Sequence, residues 1–395
     1  MKKALPIDVK SARKLHIWNK RVFSIGGVWP LEPTYLKFYI WSAYFVGHGI
    51  LAVGDLISVF GDMSLTIANL LETSIDVMVG VKMMLLRHSK LLEKVLKEVQ
   101  NGANVENYRD QTEMKLYLAY NTVGQIFFKI ISPVAFATCF LYHLKPLEDI
   151  LNAVLYNKTI PVVLPYRMRI FFDITDMSTY AIVYLALTPI FYYRYFHPIS
   201  ICFLCTLIVH VAGEMSVLAH RIRNIKLPDS SKDNDNNRNH FEIDFRDIVL
   251  KHYNIIWTAT AVDDIFNAVL LEELVISTML LGLTSYSLLT TPLTESMFEY
   301  FFVVNYITAI FLLILIYCIT GEYLIRESAN VQNAYYECKW YDMPSKYGKQ
   351  LSICMARAQN PLKLTAGRFY VFSLGRFSGV LKTAMAYISM LRTVS

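Results

Sequence analysis

Several ionisable residues stand inside long apolar runs of this sequence: Glu72 and Asp76 one helical turn apart, Lys82 farther along the same run, and the adjacent pair Glu272 and Glu273 in another. Charges inside a membrane are expensive and normally face a bundle interior or a water-filled cavity. Two chemistries are open to them, proton-coupled transport and helix-to-helix hydrogen bonding. A transporter of that kind carries duplicated halves or paired interrupted helices. The sequence has neither, so Glu72 and Asp76 are expected to bond between helices. Cys202 and Cys205 form a Cys-x-x-Cys on one helix face. Two ligands make a poor zinc site, and burial as small apolar residues accounts for the pair. The nine histidines are scattered, and no His-x-x-x-His, Gly-x-Ser-x-Gly or phosphate-binding glycine loop occurs. The chain reads as a non-enzyme, with no cofactor, metal or nucleic acid called for.

These residues need helices to carry them, and the composition says in what solvent. Of the 395 residues 54% are apolar and only 18% charged, with a mean hydropathy of +0.36. Soluble chains carry about a quarter charged residues. The bilayer is therefore the solvent. Residues 38–59, 65–86, 117–142, 177–212, 267–290, 298–320 and 369–394 are each apolar for about the 20 residues that a crossing needs. The expected fold is all-α and polytopic, with seven transmembrane helices.

Lys and Arg set the orientation. Residues 1–36 are basic and hold no apolar h-region, so the first span is expected to act as its own signal. Residues 87–115, 220–251 and 326–368 are basic as well, whereas the turns near Gly61 and at 291–297 have no Lys or Arg. The N-terminus is thus expected in the cytoplasm and the C-terminus outside. Two crossings within 177–220 would put the basic 220–251 segment outside, and "YRYFHP" at 193–198 is barely long enough to reverse a helix. One long helix that projects into the cytoplasm fits better. The stretch 245–290, amphipathic and then apolar, enters the membrane from a similar stalk, so the extended fourth, fifth and sixth helices are expected to build a cytoplasmic anchor. The polar run 228–240 reads as a linker. The single sequon, Asn157-Lys-Thr159, falls in the 143–173 loop that the charges place outside. The six cysteines lie in spans or cytoplasmic segments, which leaves no extracellular disulfide framework.

Aromatic residues are plentiful, 26 Tyr and 23 Phe, and many sit in the outer halves of spans. An interfacial belt and a small-molecule pocket both explain them, and the sequence leaves the two open. In the last helix Met390 and Val394 share a face, Thr393 flanks it, Ala386 lies below, and Lys382 is about 80° off it. Apolar rings of that kind close a pore by dewetting. Gly375 and Gly379 form a G-x-x-x-G that permits close helix approach.

"ECKWYDMP" at 337–344, "MARAQNPLKLTAGRF" at 355–369 and "GVLKTAMAYISMLR" at 379–392 resemble, in order and spacing, the C-terminal signature of the insect odorant receptors. The resemblance implies an odorant-gated, non-selective cation channel in the plasma membrane, a heterotetramer with the family's odorant co-receptor, in contact with membrane lipid and opened by a small volatile organic ligand. It implies three parts: a six-helix membrane domain at 1–344, a cytoplasmic anchor helix at 345–366, and a pore-lining helix at 367–395. The gate falls on Met390 and Val394, with Thr393 at the polar pore position. The ligand is expected among the second, third, fourth and sixth helices, at Asn69, Thr73, Ser132, Phe136, Tyr180, Tyr184, Phe302 and Tyr306. The segment 224–244 is short beside the long loop of the co-receptor, which points to a ligand-tuning subunit. A gustatory-type channel would end in Thr-Tyr and then Gln-Phe, and "AYISMLRTVS" lacks the Gln-Phe. A G-protein-coupled receptor would need an outside N-terminus and an Asp/Glu-Arg-Tyr element after the third helix, and neither is present.

Overall fold

The structure, a computed structural model, describes residues 15–155 except 33 and 103, 163–226 except 175, 235–290, 297–379 except 344, and residues 382, 386 and 389. A short helix α1 (Leu15–Ile25) leads into α2 (Tyr35–Val59) and α3 (Met63–His88), which are followed by α4 (Lys90–Gly102), α5 (Gln111–Leu155) and α6 (Met177–Arg223). Then come α7 (Asp235–Thr290), α8 (Met297–Glu337), α9 (Ser345–Ala358) and a two-stranded hairpin of β1 (Thr365–Ala366) and β2 (Tyr370–Val371). A last helix starts at 374 and is described to 379. Among the described residues α2, α3, α5, α6, α7 and α8 are long and apolar enough to cross a membrane.

Local chemistry explains several boundaries. Gly61 has a φ of 116°, which turns the chain between the first two spans. Asp62 then caps α3 by accepting from the Leu65 amide at 3.1 Å, and Arg87 and His88 oppose the dipole at its other end. In α4 the buried residues are Leu92, Val95, Leu96 and Val99, an i, i+3, i+4, i+7 stripe.

Helix α6 is the centre of the fold. Its most apolar window is 94% buried, against 6% for that of α5, so α6 is walled by protein while α5 faces outward. The helix runs unbroken through Pro189 and Pro198, which a helix packed on all sides tolerates because neighbours re-satisfy the freed backbone groups. The expected single long fourth helix is what the chain forms. It packs against α5, α8, α7, α1 and α3.

Four sequence-based boundaries move. Helix α5 continues past 143 to Leu155, so the connection that follows is shorter than expected. Helix α7 starts at Asp235, inside the run read as a linker, because Phe241 and Phe245 pack their rings 5.0 and 5.7 Å from Tyr347 of α9. The anchor helix stops at Ala358, and the remainder of 345–366 is coil and the first strand. Last, the chain beyond 366 makes a tight turn on Gly367 and Arg368, both at positive φ (58° and 66°), before the last helix begins.

Beyond their apolar portions, α5, α6, α7 and α8 form a bundle laced with ion pairs, here named the extension end. Arg221 meets Glu113 at 2.7 Å, Lys251 meets Glu214 at 2.5 Å, and Arg109 meets Asp244 at 3.0 Å. Burial works against the Glu214 carboxylate, yet Lys251, His210 and the Tyr108 hydroxyl hold it below the usual range. His252, 3.1 Å from the Tyr335 hydroxyl, is pushed down to about 4 by burial, with Arg357 adding to it.

This depressed imidazole sets a pH dependence. Below about pH 6.5 the unfolded chain takes a proton that the folded bundle refuses until about pH 4. The stability is therefore intact above 6.5 and declines as pH falls toward 4. Thermal melting of detergent-solubilised wild type should fall more steeply between about pH 7 and pH 5 than that of His252→Gln. Parallel curves would show that His252 is not the titrating group.

Candidate functional site

At the end of the membrane helices away from the extensions, α5 and α6 face each other through aromatic rings. Phe136 lies 5.3 Å from Phe191 and 5.7 Å from Tyr195, with both ring pairs edge-on. His143 lies 4.8 Å from Tyr184, and Tyr180 stacks on Tyr184 at 6.1 Å. Tyr306 of α8 is partly buried against the main hydrophobic core. Such ring pairs add about 0.5–1.5 kcal/mol beyond the area they bury.

The chain between α5 and α6 closes this end. Its Tyr166 is 1% exposed, with its ring 6.1 Å from Tyr142 and 5.7 Å from His143, and the Arg194 guanidinium 5.5 Å from its centre. Three backbone and side-chain contacts hold the segment down. The Arg169 amide donates to the Leu51 carbonyl at 3.0 Å, the Arg167 amide to Glu72 at 3.0 Å, and the Arg167 guanidinium to Asp55 at 3.1 Å. Among the described residues the Tyr166 hydroxyl and His143 Nδ1 are buried atoms without a hydrogen-bond partner. An unmade hydrogen bond on such an atom costs about 1–3 kcal/mol, which a partner entering the cluster would recover.

Beneath the rings lies a chain of buried charges. Arg194 reaches Asp76 at 3.2 Å and Glu72 at 3.8 Å, the Tyr142 hydroxyl donates to Glu72 at 2.8 Å, and His48 Nε2 is 3.6 Å from Asp76. One turn farther along α6, His197 lies 3.1 Å from Lys82, which is also bonded to Glu273. Tyr317 of α8 donates to the same Glu273. The expectation that Glu72 and Asp76 bond between helices holds. Cys202 and Cys205 are buried in the core of α6, where Cys205 accepts from the Thr320 hydroxyl at 3.2 Å.

The candidate ligand residues divide. Phe136, Tyr180 and Tyr184 belong to the aromatic cluster, Ser132 joins it by a 2.7 Å hydrogen bond to Tyr195, and Tyr306 packs on the main core. The Tyr180 and Tyr184 hydroxyls donate to the carbonyls of Val163 and His143, so these residues offer ring faces. Asn69 is fully buried and uses its amide within the fold: it donates to the Ala52 carbonyl at 3.1 Å and to Asp55 at 2.8 Å, and accepts from Thr73 at 2.8 Å. Phe302 lies on α8, with its side chain outside the described residues, as are Met390, Thr393, Val394 and Asn157. Sequence reasoning missed Arg194, His197, Tyr166, Phe191 and Tyr195. The available signal is an Arg and a His three residues apart inside an apolar run, a stretch weighed above only as a turn barely long enough to reverse a helix.

Known proteins share both the sequence pattern and the architecture. The chain is 29% identical over 160 residues to Odorant receptor 13a of Drosophila melanogaster, an alignment that covers 37% of this chain and 38% of that one. It is 29% identical over 143 residues to the Odorant receptor coreceptor of the same species, covering 36% and 29%. These alignments span less than half the length of either relative. Among solved structures, the insect olfactory receptor OR5 from Machilis hrabei superposes with a TM-score of 0.80 at 17% identity, over 98% of this chain and 100% of that one. The same receptor in complex with eugenol gives 0.75 at 16% identity. Residues 63–385 match the 7tm Odorant receptor family, a family of receptors rather than enzymes, and the chain belongs to it.

Proposed function

We propose that this chain is a ligand-tuning subunit of an odorant-gated cation channel and that its ligand binds in the aromatic cluster between α5, α6 and α8. The observation that carries the reading is the pairing of ring faces with two buried polar atoms that have no hydrogen-bond partner among the described residues, the Tyr166 hydroxyl and His143 Nδ1. Small-molecule sites have this make-up, mostly apolar walls with a few polar groups to fix orientation. The ligand is then a small, largely apolar volatile with one oxygen able to hydrogen-bond. The complex of the similar olfactory receptor with eugenol supports that class. Phe136, Tyr184, Phe191, Tyr195 and Tyr306 supply the walls, and Asn69 with Thr73 holds α3 to α2 behind them.

The rest of the reading follows from the charge pattern and the family. The extension end lies in the cytoplasm, the Tyr166 end faces outside, and the channel sits in the plasma membrane as a heterotetramer with the co-receptor. The gate is formed by Met390 and Val394, with Thr393 tuning permeation by replacing part of an ion's hydration shell. Coreceptor sequences among the relatives support the partner.

Three measurements test this. Co-expressed with the family co-receptor, the subunit should give cation current to members of a broad odour panel that includes eugenol; robust current from the subunit alone would remove the obligate partner. In the pocket, Tyr166→Phe should weaken oxygen-bearing agonists by roughly five-fold, the equivalent of about 1 kcal/mol for one hydrogen bond, and leave hydrocarbons unaffected. Tyr184→Ala should reorder the agonists, and an unchanged rank order at intact surface expression would return these rings to an interfacial belt. At the gate, Met390→Ser should raise resting current above that of Leu391→Ser, which is about 100° round the helix. Equal leak from the two would mean that the pore face is misassigned.

A further inference from the structure

We infer that Lys82, Glu273 and Tyr317 form a lock that holds the base of the last helix, and that movement in the aromatic cluster acts on the pore through it; this builds on the channel reading above. Three helices converge on one carboxylate. Glu273 of α7 accepts from Lys82 of α3 and from Tyr317 of α8, and it is 1% exposed.

The lock is tied to the outer site through α6. His197, 3.1 Å from Lys82, lies three residues after Arg194, which pairs with Asp76 on the helix that carries Lys82. A displacement of α6 against α3 at the rings therefore strains both sets of contacts together. Below, the lock is tied to the last helix through α8. The Tyr317 ring lies 5.5 Å from Phe372, and the chain passes so close to α8 that a Cβ on Gly321 would sit 2.3 Å from the Phe372 carbonyl oxygen. Glu322 accepts from the amide of Leu374, the residue that opens the last helix, at 3.1 Å.

The opposite wall is α7. Asp263 takes the Thr365 amide at 2.7 Å and the Thr365 hydroxyl at 2.8 Å, and the Gly367 amide donates to the Asn267 carbonyl at 3.0 Å. The hairpin is thus clamped between α7 and α8, and the Glu273–Tyr317 contact joins those two helices above the clamp. Leu86, Leu204 and Phe266 pack around Lys82 and Tyr317 at this point. Coupling between sites requires an element with two states, and the making and breaking of the Glu273 contacts supplies one.

The decisive variants are Tyr317→Phe, which removes one hydroxyl, Glu273→Gln, and the reciprocal exchange Lys82→Glu with Glu273→Lys. Each is co-expressed with the co-receptor and scored for resting current per surface receptor. The purified subunit is compared in parallel by hydrogen exchange over 363–379. Tyr317→Phe and Glu273→Gln should each raise resting current and exchange by roughly two- to thirty-fold, the range seen for residues that carry coupling. The two together should do little more than the stronger alone, since both break one contact. Either charge reversal by itself should abolish surface expression or response, and the exchange of both should restore it. Unchanged exchange over 363–379 in Tyr317→Phe and Glu273→Gln overturns the lock, whatever the currents show. Raised exchange with no eugenol- or panel-evoked current from wild type supports the lock and overturns the channel reading instead. Raised exchange with unchanged resting current in a responsive channel shows that the clamp does not reach the pore, and overturns the coupling.

Discussion

An arginine buried in a helix that is apolar on every side has to meet a carboxylate, and the fold is arranged around that requirement. Arg194 lies in α6, the helix most completely enclosed by its neighbours, where an unpaired charge would be far costlier than any single packing contact is worth. Glu72 and Asp76 on α3 answer it, and they are themselves held by Tyr142, His48 and the Arg167 amide. Each of those groups comes from a different helix or loop, so satisfying one guanidinium positions α2, α3, α5 and the connection before α6. The ring cluster lies directly above these contacts and inherits its geometry from them.

The spans were legible because apolar runs of crossing length need no tertiary information, and the charge pattern was enough to keep 177–223 as one helix. What the sequence hid has a common cause. The partner of Arg194 is Asp76, 118 positions earlier, and no local pattern connects them. Pro198, next to His197 and four residues after Arg194, offers a turn on local chemistry alone because proline and charge mark turns in water, whereas in an enclosed helix neighbouring groups compensate for both. The start of α7 was missed for a related reason: Asp235 to His240 is polar enough for a linker and is drawn into helix by Phe241 and Phe245 packing on Tyr347. In the ligand list the rings at Phe136, Tyr184 and Tyr306 stood out as residue types, but that Tyr166 from a connecting segment would complete the cluster depends on Arg167 reaching Asp55 across 112 positions.

The two charged regions of the molecule do different work. In the extension bundle the pairs join long helices that water also reaches, and Arg109–Asp244, with both side chains more than a third exposed, adds little to stability. The bundle is held by apolar stripes such as Phe241, Phe245 and Tyr347, with its polar groups fixing which helix neighbours which. In the membrane portion the apolar stripes cannot discriminate in the same way, because lipid is as good a neighbour for Leu as another helix is. There the polar contacts carry the specificity that hydrophobic burial supplies elsewhere.

Rotation of α6 shows how far that specificity extends. From Ile199 to Ala212 nearly every residue of this helix is buried and apolar, so packing alone leaves its rotation weakly determined. Arg194 and His197, about 60° apart around the axis, both point to α3, and only one rotation satisfies Asp76 and Lys82 at once. Tyr195 lies about 100° round from Arg194, and Phe191 about 60°. Once the charges are seated on α3, those two rings are turned toward Phe136 on α5. The aromatic cluster therefore depends on ion pairs that lie outside it.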